Sequence, residues 1–261
     1  KRARAYYYAN ITFIDEQVGR IINTLKEEGL YDNTLIIFTS DHGDLMGDHG
    51  LWYKTFGYEG SIHIPLILHH PGLIKPGTRC SEIATLLDIL PTIASVTGIV
   101  TDNNRPGNNL FDLNSEKKSC DFAVSEIFTP PNYMLHVRTK EWKYLFYQNG
   151  GYEELYNLKD DPHELVDLSE DKAYAGIKKD LHYAAAEWIL KRGNPGYALD
   201  DRKNLRAMPF RNYTEQQYRP FSRMPWDYRI PPLALPREKR GWFWNEKRRD
   251  WSYMVELAKN D

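Results

Sequence analysis

The segment TLIIFTSDHG, residues 34–43, joins a short apolar run to a polar turn. The run Thr34–Thr39 is short and rich in β-branched residues, which is typical of a strand buried on both faces in a sheet covered by helices. Asp41, His42 and Gly43 follow at the point where such a strand ends. Because ligands of open α/β sheets bind outside the carboxyl ends of the strands, we expect a ligand site at this turn.

The segments around this run predict further α/β structure. Apolar residues recur at steps of three or four over Tyr6–Glu28, which predicts an amphipathic helix that ends near Gly29. A second apolar run, Ile64–His69, predicts another strand, and Leu90–Val96 predicts a helix that ends near Gly98. The alternation of strands and helices indicates a doubly wound sheet.

The pattern changes after Thr101, where turn residues begin to separate short runs typical of strands. Four such runs predict a small antiparallel sheet: Phe122–Phe128, Tyr133–Thr139, Trp142–Tyr147 and Glu154–Leu158. A helix is predicted from about Ala173 to Lys191. We therefore divide the chain into part of an α/β domain at residues 1–119, a small α+β subdomain at 120–192 and a C-terminal extension at 193–261.

The C-terminal extension is rich in proline and holds four of the seven tryptophans. This content of large apolar side chains is too high for a disordered linker. We expect an ordered arm that packs on its own chain. An arm that crosses to a neighbouring subunit of a homo-oligomer, or one that rims the substrate cleft, remains the alternative.

Composition excludes several classes of protein. The formal net charge of −2 gives no electrostatic footprint for nucleic acid, and no apolar run reaches the ~20 residues of a membrane span. Cys80 and Cys120 lack the spacing of a zinc knuckle. The chain opens abruptly within a predicted helix, so we expect its true N-terminus to lie upstream.

The turn Asp41-His42-Gly43 combines residue types that suit a metal site. Carboxylate oxygen is a hard ligand for divalent cations, and imidazole is the commonest nitrogen ligand. Gly43 lets the backbone turn sharply and approach a ligand closely. The alternative is a surface turn with an aspartate cap and a hydrogen-bonded histidine, which we would favour for an isolated Asp-His-Gly.

The surrounding sequence resembles a known family. Phe38–Lys54 resembles the second signature region of the type I sulfatases, members of the alkaline phosphatase superfamily. Tyr58–Gly60, Ile64–Ile67 and Leu87–Thr92 continue the resemblance at the expected spacing, and Glu154–Glu164 resembles the edge of the family's C-terminal subdomain. The resemblance covers about residues 6–168 and implies the C-terminal part of an alkaline-phosphatase-like doubly wound sheet.

The resemblance also implies roles for single residues. Asp41 and His42 would be metal ligands, and Lys54 would contact the sulfate as a catalytic and substrate-binding residue. The ion expected is calcium, although the nitrogen ligand leaves manganese or another divalent ion open. His49 would bind substrate near the leaving group or be a structural residue, and Glu59 would organise its loop through backbone hydrogen bonds.

The family nucleophile is a formylglycine made from Cys or Ser in a Cys/Ser-x-Pro/Ala-x-Arg motif, and neither Cys80 nor Cys120 lies in such a motif. We therefore expect the nucleophile, further acidic ligands and further sulfate-binding residues in an N-terminal half upstream of Lys1. This chain alone would then be inactive.

The resulting hypothesis is metal-dependent hydrolysis of the sulfate ester of a small molecule or glycan. A phosphonate monoester or phosphodiester hydrolase is the alternative, because histidine at the second ligand position also occurs in phosphonate monoesterases. A non-catalytic C-terminal module is a further alternative. The family resemblance implies a periplasmic, secreted or lysosomal location.

Overall fold

The structure is a computed structural model, and it describes residues 2–54, 56–102, 106–113, 121–129, 132–192, 195–209, 242–245 and 250–253. Within these ranges no helix is both long enough and apolar enough to cross a membrane.

The chain begins with helix α1, Arg2–Glu27. Gly29 ends it with a φ of 68°, and the N–H of Leu30 reaches back to the carbonyl oxygen of Leu25 at 2.8 Å. This is the 6→1 bond of a Schellman cap, which needs a residue that tolerates positive φ. The predicted helix and its stop are therefore confirmed.

Strand β1, Ile36–Thr39, pairs antiparallel with β2, Leu66–His69. Phe38 is 38% exposed and Ile67 is 59% exposed, and no residue of β1 is fully buried. The expectation that β1 is buried on both faces is therefore wrong for the described chain. The physical reason is that the described residues supply one neighbouring strand rather than a full sheet.

Two helices follow in the same part of the chain. Helix α2 is the single turn Glu59–Ile62 that leads into β2. Helix α3 covers Ile89–Thr97 and ends at Gly98, whose φ is 72°. The sequence predicted α3 and its glycine stop but gave no signal for α2.

The predicted small sheet is present. Strands β3, Phe122–Thr129, β4, Asn132–Thr139, β5, Trp142–Tyr147, and β6, Tyr152–Asn157, form an antiparallel meander in the order β3-β4-β5-β6. Helix α4, Ala175–Arg192, covers one face. Leu181, Ala185 and Ile189 of α4 share a buried cluster with Tyr144 and Leu155 of the sheet.

The other face of this sheet packs on the loop after β1. Leu45 and Tyr58 from that loop form a second buried cluster with Leu145, Tyr147 and Tyr156. Successive side chains of a strand point to opposite faces, so β5 contributes to both clusters. The small sheet is therefore the support against which the loop carrying the candidate site is packed.

The described part of the C-terminal extension contains helix α5, Pro195–Ala198, and the antiparallel pair β7, Trp242–Asn245, and β8, Asp250–Tyr253. Residues 210–241 lie outside the described residues. The prediction of an ordered arm and the three domain boundaries therefore stay predictions.

Candidate active site

Asp41 and His42 lie directly after β1, as predicted. The Oδ2 of Asp41 is 3.4 Å from the Nε2 of His42, and the two side chains are 80% and 38% exposed. The backbone N–H of His42 donates to Oδ1 of Asp41 at 2.9 Å. This hydrogen bond to the charged form holds the pKa of the Asp41 carboxyl below its usual value.

The ring of His42 is oriented by its own neighbour. Its Nδ1 lies 2.8 Å from the carbonyl oxygen of Gly43, and because that oxygen can only accept, Nδ1 must carry the proton. The lone pair is then on Nε2, which lies 2.5 Å from the Nζ of Lys54. The structure thus brings together Asp41, His42 and Lys54, three of the residues that the sequence suggested.

Gly43 is required by packing of the backbone. A Cβ atom built at Gly43 would lie 2.2 Å from the carbonyl oxygen of Gly60. The N–H of Gly43 donates to the carbonyl oxygen of Ser61 at 2.7 Å. The close approach is to the chain's own helix α2, whereas the sequence suggested an approach to a ligand.

Ser61 is a residue that sequence reasoning missed. It is 2% exposed, and its Oγ donates to the backbone carbonyl oxygen of Lys54 at 2.7 Å. Ser61 therefore contacts both the backbone next to His42 and the backbone of Lys54. No sequence signal could have found it, because a serine in a short polar segment is ordinarily a surface residue.

Asp44 shapes the loop between the two halves of the site. Its Oδ1 accepts from the backbone N–H of Met46 at 2.8 Å and of Tyr53 at 3.2 Å. Both residues have positive φ, 52° and 68°, a conformation that side chains rarely adopt. The Asp44 carboxylate offsets this strain by accepting hydrogen bonds from both amides. The turn that precedes Lys54 is therefore held in one conformation.

His49 lies next to Glu164 and Tyr58. Its side chain is 7% exposed, with Nε2 3.9 Å from Oε2 of Glu164. Its ring stacks on that of Tyr58 at 4.0 Å between centroids. These contacts favour the structural interpretation that the sequence left open, and the substrate-binding role of His49 stays a prediction.

The carboxylate of Glu59 pairs with cationic side chains, which the sequence did not suggest. Its carboxylate lies 2.6 Å from the Nζ of Lys143, 3.0 Å from Nδ1 of His63 and 3.4 Å from Arg138. Burial acts to raise the pKa of the Glu59 carboxyl, but these three partners outweigh burial and hold it well below its usual range. The sequence missed these partners because no pattern placed Lys143 opposite Glu59, and the role in organising the loop stays a prediction.

The side chains of Asp41 and His42 could supply part of the ligand set of a metal site. The carboxylate of Asp41 is exposed, and the tautomer of His42 leaves the lone pair on Nε2, as in a metal-binding histidine whose other nitrogen donates to a carbonyl. In this structure that lone pair faces the Nζ of Lys54, which a metal ion would have to displace. Within the described ranges no group of three or more His, Cys, Asp or Glu side chains is placed to hold a metal. A hard divalent ion needs about six to eight ligands, so further ligands would have to be supplied from elsewhere.

Comparison with known proteins adds independent information. Residues 1–99 match the family model described as Sulfatase. An arylsulfatase of Clostridium perfringens is 35% identical over 216 residues, which are 80% of this chain and 44% of that protein. The chain therefore spans less than half the length of this relative.

Two solved structures superpose on the chain. One is a protein in complex with its substrate D-glucosamine-2-N,6-O-disulfate, with a TM-score of 0.65, 29% identity, and coverage of 69% of this chain and 39% of that one. The other is the phosphonate monoester hydrolase of Agrobacterium radiobacter, with a TM-score of 0.63, 30% identity, and coverage of 79% and 45%. These likenesses bear out the predicted fold, an alkaline-phosphatase-like α/β fold with a small antiparallel subdomain.

Proposed function

Because residues 1–99 belong to the sulfatase family, we propose that this chain works as the C-terminal portion of an enzyme that hydrolyses sulfate esters. The observation that carries the proposal is the convergence of Asp41, His42 and Lys54 at the end of β1, with Nζ of Lys54 2.5 Å from Nε2 of His42. An anion bound at this point would meet a compact ammonium and a pair of metal ligands together.

Asp41 and His42 would hold the metal ion, with calcium as the first candidate. When bound, a divalent cation supplies charge that polarises the sulfuryl oxygens. Lys54 would contact a sulfate oxygen and neutralise charge that develops on the leaving oxygen. The nucleophile, expected as a formylglycine, would come from an N-terminal half together with the remaining ligands.

The substrate class proposed is a sulfated small molecule or glycan. The similarity to the structure bound to D-glucosamine-2-N,6-O-disulfate supports testing sulfated amino sugars first.

A phosphonate monoester hydrolase is the second candidate. The enzyme of that activity from Agrobacterium radiobacter is 30% identical to this chain, and the match covers 79% of this chain. Sulfate and phosphonate esters share a tetrahedral anionic centre, so the same ammonium and metal ligands would serve either reaction.

The test compares three samples: this chain alone, the full-length protein, and full-length Lys54→Ala, each assayed on an aryl sulfate and an aryl phosphonate with added Ca²⁺ or Mn²⁺. We expect the full-length protein to turn over the sulfate faster and this chain alone to be inactive. Preference for the phosphonate would select the second candidate. Inactivity of the full-length protein on both esters would favour a non-catalytic module. Robust turnover by this chain alone would overturn the proposal that an N-terminal half supplies the nucleophile and the remaining ligands.

A further inference from the structure

A buried cluster of charges lies outside the residues that the proposed chemistry uses. Its members are Glu59, Lys143 and Glu164, which we call the charge cluster. The Lys143 side chain is fully buried, and its Nζ lies 2.6 Å from Oε1 of Glu59 and 2.7 Å from Oε1 of Glu164. The Glu164 side chain is 2% exposed. Lys143 comes from β5, and Glu164 follows β6, so the small subdomain supplies two of the three members.

The charge cluster holds the start of helix α2. Oε2 of Glu164 accepts from the backbone N–H of Glu59 at 2.8 Å, while Lys143 binds the Glu59 side chain. Glu59 is thus fixed to the small subdomain through both its backbone and its carboxylate. Nearby, the hydroxyl of Tyr58 donates to Oε2 of Glu154 at 2.8 Å, which adds a second buried link to the same sheet.

Helix α2 in turn holds both halves of the candidate site. Ser61 lies two residues after Glu59. Its carbonyl oxygen accepts from the N–H of Gly43 at 2.7 Å, and its Oγ donates to the carbonyl oxygen of Lys54 at 2.7 Å. A shift of α2 would therefore move the backbone beside His42 and the backbone of Lys54 together.

The chemistry of the charge cluster suits positioning better than stabilisation. Taking three charges out of water costs nearly as much as their attraction returns, so buried ion clusters are weak stabilisers. They do impose one geometry, because each charge must face its partner. Here that geometry sets where α2 sits relative to the small sheet.

We propose that Lys143 and Glu164 are positioning residues. They act through Glu59 and Ser61 to hold the backbone segments that carry His42 and Lys54 at a fixed position relative to each other. The inference rests on the proposed function for the identity of the site. The mechanical link from the small subdomain to the site can be tested without any activity.

The first test is amide hydrogen exchange in the full-length protein, followed by mass spectrometry in the peptides that span residues 41–62. Lys143→Met keeps the length of the side chain and removes its charge. We expect exchange of these peptides to be at least about tenfold faster than in wild type, because the Gly43–Ser61 bond opens more often. The matched control is Lys178→Met, which removes an ion pair between Lys178 and Glu153 at 3.2 Å without touching α2. It should leave residues 41–62 unchanged.

The second test is kinetic. In full-length protein assayed well below its unfolding temperature, Lys143→Met should lower kcat by about ten- to a hundredfold, the effect of a small misplacement of catalytic groups. A merely structural role would lower the unfolding temperature but leave kcat and exchange over residues 41–62 at wild-type values, and that result overturns the proposal.

Two further variants keep the proposal testable if Lys143→Met does not fold. Ser61→Ala removes only the hydroxyl that binds the Lys54 carbonyl, and we expect kcat to fall about tenfold because Lys54 is less well positioned. Glu164→Gln retains an oxygen for the Glu59 N–H and should be milder in both readouts than Lys143→Met. Wild-type kcat in Ser61→Ala and wild-type exchange in Glu164→Gln would together overturn the proposal. A wild-type protein without hydrolase activity would defeat the proposed function instead, and the exchange result would then decide the positioning claim alone.

Discussion

Nζ of Lys54 lies 2.5 Å from Nε2 of His42, although the two residues are twelve positions apart in the chain. The contact depends on the tautomer of His42, because its Nδ1 faces the carbonyl oxygen of Gly43. An ammonium has three donors and no acceptor, so the unprotonated Nε2 is its natural partner.

Lys54 should be important for turnover. In the full-length protein, Lys54→Ala should lower kcat/KM for an aryl sulfate about ten- to a thousandfold, the range for the loss of one charge-stabilising group. Lys54→Arg should also be impaired, because a planar guanidinium group does not replace a compact ammonium group. The exposed Lys75 offers a control, Lys75→Ala, which should keep wild-type kinetics. Unchanged turnover in Lys54→Ala would remove the role given to this residue.

Gly43 should tolerate no side chain. The Cβ of Gly43→Ala would lie 2.2 Å from a backbone oxygen of Gly60, so the turn bearing His42 must move. A displacement of about 1 Å is expected to lower turnover about a hundredfold. Gly176→Ala is the control, since nothing lies within 4 Å of its added Cβ in helix α4. Steady-state kinetics and thermal unfolding of both variants test this, and equal behaviour would contradict it.

His136 should make stability depend on pH. It is 1% exposed, and neither ring nitrogen has a hydrogen-bond partner within the described chain. Burial, aided by the charge of Lys143, lowers its pKa to about 3. The unfolded value is near 6.5, so the unfolded state binds the extra proton first. The free energy of unfolding is therefore unaffected by the titration of His136 above pH ~6.5, and it falls by roughly 1.4 kcal/mol per pH unit as the pH drops from there toward about 3.

The measurement is urea denaturation of full-length wild type and His136→Leu between pH 7 and 4. The free energy of unfolding should fall more steeply with decreasing pH in wild type than in the variant. His163→Leu, at an exposed histidine, is the comparison and should follow wild type. Parallel pH profiles for wild type and His136→Leu would disprove the assignment.

Leu155 should stabilise the small subdomain. It is fully buried between the sheet and α4, so Leu155→Ala should cost about 2–5 kcal/mol of unfolding free energy through lost transfer energy and a cavity. Leu190→Ala, at a leucine of α4 that is 44% exposed, should cost much less. Urea midpoints of the two variants measure the difference, and similar midpoints would argue against this core.

The amino-acid sequence by itself determined most of the longer helices and strands, and it placed Asp41 and His42 at the end of β1. Apolar periodicity predicted α1 and α4, and a proline in the first turn predicted α3. Glycines at positions 29 and 98 marked two helix ends that the structure retains. Short runs separated by turns predicted the four-stranded sheet. These predictions succeed because backbone conformation and side-chain periodicity are local properties of the chain.

Tertiary structure alone decided how the site is held. Ser61, Lys143 and Glu164 carry no local pattern, and Glu59 meets Lys143 across more than eighty positions of the chain. The tertiary structure also leaves β1 partly exposed and places the His49 side chain next to Glu164. The physical reason is that burial and ion pairing depend on which surfaces meet in three dimensions, whereas a pattern along one segment reports only which face of that segment is apolar.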